Sequence, residues 1–277
     1  MKKRKIDIIG ENKRMIDSHA HIGKFEDWDF KIEDLYDQMQ KVGIRQTVIA
    51  NLAGNQFNYK HELLNEYSTY EINKMTMERV QECAHAFKML IWIRPLMDEQ
   101  IDWIEQMINT YPKAIVGLKV HPYCAKLKLT EKGYIPYIEI CKKYQIPLSV
   151  HTEEDGYSDV KYIIEAARRY PEVNFVAVHM GLKTDHKEAI NGMKEYKNLY
   201  GDTTLVGYDS VKEAIETCGE KKIIFGSDAV MMGEESYIKY IEMYRRIKEE
   251  YGKEVAENIF HYNCIRVFGG EKRWRED

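Results

Sequence analysis

Short apolar runs alternate with longer amphipathic runs along the whole chain, and few folds accept that rhythm. The short runs are Met15–His19, Gln46–Ala50, Met89–Arg94, Ile115–Val120, Pro147–His151, Phe175–His179, Asn198–Asp202 and Ile223–Gly226. Several are rich in Val and Ile and almost unbroken by polar residues, as expected of parallel strands buried on both faces. Between the first two, Lys31–Val42 carries Ile32, Leu35, Tyr36, Met39 and Val42 at helical spacing and stops at Gly43. Glu71–Phe87, Gln100–Tyr111, Ile135–Tyr144, Asp159–Tyr170, Lys187–Tyr196, Ser210–Thr217 and Glu235–Tyr251 read as further helices, and Asn258–Phe268 as a last one packed outside. Eight strands alternating with eight helices predict an α/β fold, a (β/α)₈ TIM barrel forming one domain over residues 1–277. An open doubly wound sheet would bring a Gly-rich phosphate loop, and neither G-x-G-x-x-G nor G-x-x-x-x-G-K-[ST] occurs. The segment before Met15 is expected to add a strand or a hairpin turning at Gly10-Glu11-Asn12.

Composition narrows the functional classes. The formal net charge is −4, so no global field draws the chain to nucleic acid or an anionic membrane. The basic start, Met1-Lys2-Lys3-Arg4-Lys5, lacks the apolar stretch of a signal peptide and reads as a solvated arm. Cys83, Cys124, Cys141, Cys218 and Cys264 are scattered and odd in number, which argues against a disulfide framework and a zinc ribbon. A reducing, cytoplasmic setting is expected. The partner expected is a small-molecule substrate, with no nucleic acid and no membrane; a homo-oligomer is compatible with the sequence.

The histidines carry the chemistry. His19 and His21 end the first run, His151 the fifth and His179 the sixth, and Asp228 follows the eighth. All fall at C-terminal strand ends, where barrel enzymes place their active sites. His19 and His21 share strand parity, so their rings point the same way, about 6–7 Å apart along the strand. A closed barrel brings His151 and Asp228 to the same centre. Three imidazole nitrogens and one carboxylate suit Zn²⁺ and are compatible with Mn²⁺ or Fe²⁺. A lone strand-end histidine is more often structural than ligating; here the agreement of five residues on one face decides for a metal. Asp17 has the same parity and is expected either to hydrogen-bond a ligand ring or to serve structure.

Other candidates are less defined. Lys119 and His121 share a face at the fourth run's end, and Arg94 ends the third; these are the candidate substrate-binding residues. Phe25, Trp28 and Phe30 follow the first run as candidate pocket walls. The long connection Asn51–Ser68, which holds His61, is a candidate lid or binding loop. His85, His186 and His261 read as structural or surface residues.

Asp17-x-His19-x-His21, Gly117-Leu118-Lys119-Val120-His121-Pro122, Pro147-x-x-Val150-His151, Val178-His179-x-Gly181, Gly226-Ser227-Asp228 and Asn263-Cys264-x-Arg266-x-Phe268 span nearly the whole chain. Together they resemble the amidohydrolase superfamily, in particular its amidohydrolase-related branch, which lacks an added β-sandwich. The resemblance implies a metal-dependent hydrolase that uses a metal-activated water to cleave a C–N or C–O bond of a small molecule. It makes His19, His21, His151 and Asp228 the metal ligands. Asp228 would also take the water's proton, and His179 would orient the water or polarise the substrate. In binuclear relatives a carboxylated lysine stands where Lys119 does; one ion and an unmodified Lys119 are favoured here.

Three alternatives stay open. The same branch includes decarboxylases of aromatic or muconate-type acids, which use the same ligands, and a carboxylate-binding Arg94 or Lys119 would favour that chemistry. TatD-like nucleases carry a glutamate near the fourth run, where Lys119 stands here. A metal-binding barrel without catalysis is the remaining alternative.

Overall fold

The computed structural model describes residues 15–274 except 65, 99, 230, 232, 234 and 235. The strand or hairpin expected before Met15 lies outside the described residues. Strand β1 (Ile16–Phe25) is followed by β2 (Trp28–Phe30), which turns back antiparallel on its end. Helix α1 (Ile32–Val42) buries Ile32, Leu35, Met39 and Val42 and stops at Gly43, whose φ of 80° places it in the left-handed region. Strand β3 (Gln46–Asn51) leads through the long connection to α2 (Thr69–Glu82). Ser68 opens that helix with a reciprocal cap: its hydroxyl accepts from the Glu71 N–H while the Glu71 carboxylate accepts from the Ser68 N–H. The predicted helix Glu71–Phe87 is too long at its end. The N–H groups of Ala86 and Phe87 turn onto the Cys83 carbonyl, and Phe87 already begins β4 (Phe87–Trp92).

The pattern then repeats: α3 (Asp102–Thr110), β5 (Ile115–Val120), α4 (Pro122–Ala125), α5 (Ile135–Tyr144), β6 (Leu148–Glu153), α6 (Val160–Arg169), β7 (Phe175–Leu182), α7 (Lys187–Glu195), β8 (Leu199–Asp202), α8 (Tyr208–Cys218) and β9 (Ile223–Ile224). Helices α9 (Ile238–Tyr251) and α10 (Lys253–Glu257), a π-helical turn over Asn258–Tyr262, and the short α11 (Asn263–Val267) and α12 (Glu271–Trp274) complete the described chain.

The alternation yields a curled α/β sheet in the order β2-β1-β3-β4-β5-β6-β7-β8-β9. From β1 through β9, β2 apart, each strand is parallel to its neighbour. The expected regular eight-stranded closed barrel is corrected in two respects. A ninth, antiparallel strand is attached to β1, and the ladder does not run on from β9 to β1. That seam is irregular because β9 is only two residues long and Asp228 adopts a φ of 62° just beyond it. The two edges still meet. Ser18 N–H donates to the Phe225 carbonyl, Asp228 N–H to that of His19 and His21 N–H to that of Ala229, at 2.8–2.9 Å.

Two apolar cores result. One lies between the sheet and its surrounding helices and holds Leu35, Met39, Val80, Ile104, Ile138 and Ile163 among others. The other fills the inside of the sheet with Ile16, Val48, Leu90, Trp92, Val116, Val176 and Ile224. Cys264, Val267, Phe268 and Trp274 belong to this second core. The last predicted helix is therefore shared between the two: Ile259 and Phe260 pack in the outer core, as expected, whereas Cys264, Val267 and Phe268 reach the inner one.

Candidate metal centre

His19 and His21 leave β1 on one face, as their parity requires, and their Nε2 atoms stand 3.0 Å apart. Asp228, carried past β9 by the left-handed turn, brings Oδ1 to 3.3 Å from His21 Nε2 and 3.7 Å from His19 Nε2. All three residues are buried, and they form the one grouping of metal-competent side chains this compact among the described residues. The ring nitrogens' outer partners fix their state. His21 Nδ1 lies 3.0 Å from the Ala50 carbonyl, which can only accept, so that nitrogen carries the proton. His19 Nδ1 lies 3.0 Å from Asp202 Oδ2, and Thr204 Oγ1 donates to the same oxygen. In the neutral rings both Nε2 atoms therefore present lone pairs to each other and to a carboxylate oxygen. Lone pairs so placed repel unless a cation sits among them. Tetrahedral zinc bonds of ~2.05 Å would separate ligand atoms by ~3.3 Å, which matches these spacings.

Burial keeps the histidines available. It pushes the His19 pKa well below the ordinary 6.5, and the Lys119 ammonium pushes it further. Burial likewise lowers His179, His151 and His121. Burial alone would raise Asp228; when the adjoining His21, His19 and His179 rings are protonated, their contact and charge outweigh it and hold this carboxyl well below the usual range.

His179 reaches the centre by a backbone device. Val176 and Val178 of β7 belong to the interior core, so simple alternation would turn His179 outward. Its φ of 70°, followed by 49° at Met180, re-aims the ring. Asp202 Oδ1 accepts the His179 N–H at 2.8 Å, and His179 Nδ1 is 3.2 Å from the Thr204 carbonyl. The ring centroid lies 5.5 Å from that of His19.

His151 is close by but oriented differently. Its Nε2 lies 3.0 Å from Glu153 Oε2, and its ring stacks on His121 with centroids 3.7 Å apart. Glu153 also pairs with Lys183. His151 stands 4.7 Å from the His179 ring and outside the compact three-residue group. Buried Lys119 places Nζ 3.3 Å from His19 Nε2; desolvation brings its pKa down to about 8.

Asp17 takes the structural of its two expected roles. It accepts from the backbone N–H groups of His19 and Ser227 and from the hydroxyls of Ser227 and Tyr237, lacing β1 to the segment after β9. The carboxylate on the ligand ring is instead Asp202, which sequence reading did not single out. Its position at the end of the seventh predicted strand was the available signal. Arg94 is 1% exposed, and its guanidinium donates to Thr69 Oγ1 and to the carbonyls of Leu64 and Tyr67. It ties down the end of the long connection. Phe25, Trp28 and Phe30 form a run of neighbouring rings, extended by Tyr59 packed edge-on to Phe25. His61 meets the Tyr123 hydroxyl, His85 that of Tyr36, and His186 the Met180 carbonyl, and none of the three belongs to the metal cluster.

The sequence profile of the amidohydrolase family matches residues 16–270. The chain belongs to that family. Solved structures agree on the fold of this amidohydrolase. A 2,6-dihydroxybenzoate decarboxylase from Rhizobium shares 14% identity over 92% of this chain and 98% of its own, with a TM-score of 0.67. A dihydroxybenzoic acid decarboxylase from Polaromonas sp. JS666, with bound manganese, shares 15% over 95% and 98%, with a TM-score of 0.69. A probable 2-pyrone-4,6-dicarboxylic acid hydrolase from Acinetobacter baumannii shares 15% over 92% and 99%, with a TM-score of 0.64. No curated protein matches the sequence. No helix among the described residues is long and apolar enough to cross a membrane.

Proposed function

We propose that this amidohydrolase is a metal-dependent lyase that releases CO₂ from a small aromatic or muconate-type acid. The observation that carries the reading is the pairing of a one-ion ligand cluster with a fixed ammonium, Lys119 Nζ standing 3.3 Å from His19 Nε2. Losing CO₂ leaves an electron pair on carbon, and a site for that reaction needs positive charge placed before the charge develops. Two of the three structures compared above are of decarboxylases, which supports the same reading.

His19, His21 and Asp228 would hold a single divalent ion, with His151 as a fourth ligand once its ring turns from Glu153. Zn²⁺ suits the donors, and Mn²⁺ is the alternative. When bound, the ion supplies a Lewis acid that anchors a carboxylate and draws electron density from it. Lys119, unmodified, offsets developing negative charge. Asp228 and His179 would take a proton from water or from an acidic hydroxyl of the substrate and deliver it to the carbon that the departing CO₂ leaves. His121 lines the substrate side of His151.

Hydrolysis is the second reading, supported by the hydrolase among the compared structures. The test is to incubate the metal-loaded chain with dihydroxybenzoates and, separately, with pyrone dicarboxylates, lactones and amides. Released CO₂ from the aryl acids with none of the second set opened supports the lyase. Ring opening without CO₂ overturns it in favour of a hydrolase, and no turnover of either set overturns it in favour of a metal-binding barrel without catalysis.

A further inference from the structure

A cavity of about 470 Å³ lies between the end of β1 and the segments that follow β3 and β4. This is within the ~300–1,000 Å³ common for small-molecule sites. None of His19, His21, Asp228, His179 or Lys119 lines it. Its walls are Phe25, Leu63, Leu64 and Tyr67, with Lys24 and Arg94 as its cations. Flat and branched apolar faces suit an aromatic ring, for which the volume leaves ample room.

The charges decide what the ring should carry. Glu26 and Glu66 also line the cavity, so the formal charges balance. Their burial does not balance. Glu26, Glu66 and Lys24 are exposed, where water and salt screen them, whereas Arg94 is buried. The Arg94 guanidinium touches a hydroxyl and two carbonyls, and no ion pair to it is formed among the described residues. The nearest acidic group, Asp98, accepts from the Arg94 backbone N–H and from Tyr137 rather than from the guanidinium. Five N–H groups on a guanidinium against three accepted bonds leave two for a ligand. The one buried charged residue of its lining is therefore a cation.

We propose that this cavity is a second binding site, separate from the metal cluster, for a single-ring aromatic carboxylate. The ring lies among Phe25, Leu63, Leu64 and Tyr67, and the carboxylate faces Arg94 and Lys24. The assignment does not depend on which reaction the metal centre performs.

Benzoate is the probe, titrated calorimetrically into the purified full chain and into His19→Ala, Lys24→Glu and Leu63→Trp. Lys24 and Leu63 are exposed, so these last two variants should fold, which circular dichroism checks. Benzoate should bind wild type and His19→Ala alike, and at least about tenfold more weakly to Lys24→Glu and Leu63→Trp. Benzamide, the same shape without the charge, should bind wild type at least about tenfold more weakly than benzoate. Binding lost in His19→Ala but unchanged in Lys24→Glu and Leu63→Trp would place the anion at the metal cluster and overturn the proposal. Equal affinity for benzamide, or no benzoate binding, would overturn it as well.

Discussion

Asp202 Oδ2 sits 3.0 Å from Nδ1 of His19, and this contact determines which nitrogen of the ring looks into the site. The same carboxylate receives the His179 N–H, so one side chain fixes two histidines from different strands. Asp202→Asn should therefore weaken metal binding about 10–100-fold while leaving the ligands intact, as loss of a ligand's outer partner generally does. Competition with a chromophoric chelator measures it. Unchanged affinity would show that Asp202 does not set the tautomer.

Removing a ligand should act more severely. His19→Ala or Asp228→Ala should leave the sheet folded, because neither side chain belongs to the apolar cores, yet abolish stoichiometric metal. Elemental analysis at a defined ion-to-chain ratio, alongside circular dichroism, decides it. Full metal content in both variants would refute the cluster. His179→Ala should lower turnover more than metal content, and the reverse would make His179 a ligand.

The buried histidines predict a pH dependence. Their pKa values lie below 6.5, so in the window beneath 6.5 the unfolded chain binds protons that the folded chain does not. Stability of the metal-free chain should then rise with pH through that window and level off above it. Metal content should likewise hold through pH 6.5 and fall only at lower pH. Denaturant melts and metal analysis across pH 4–8 check both, and a loss of metal centred on 6.5 would contradict the burial argument.

Arg94→Met should loosen the end of the long connection. It removes three hydrogen bonds and leaves the buried Thr69 hydroxyl and two part-buried carbonyls without that donor, at a cost of about 2–4 kcal/mol. A thermal melt reads the cost. Limited proteolysis should show faster cutting within residues 52–68, and cutting elsewhere first would mean that Arg94 braces something else.

Much of this was legible before any coordinates. The alternation of runs placed all eight parallel strands, and parity put His19 and His21 side by side. What escaped has specific causes. The seam between β9 and β1 depends on a left-handed turn at Asp228, a non-glycine residue whose identity does not announce it. His179 breaks the parity of its own strand, so its arrival at the centre is a backbone effect. Asp17 and Asp202 look alike as strand-end acids. Only the three-dimensional path shows that one serves backbone and hydroxyl donors and the other an imidazole.

Phe268 and its neighbours Cys264 and Val267 share a core with Ile16, the first residue of β1. Contacts so distant in sequence form late, because the intervening chain must be ordered before they close. During synthesis the open strands would wait with their inner faces wet until the segment around Phe268 leaves the ribosome. A nascent chain stalled before that point should bind chaperones and resist compaction, however complete its strands and ligands already are.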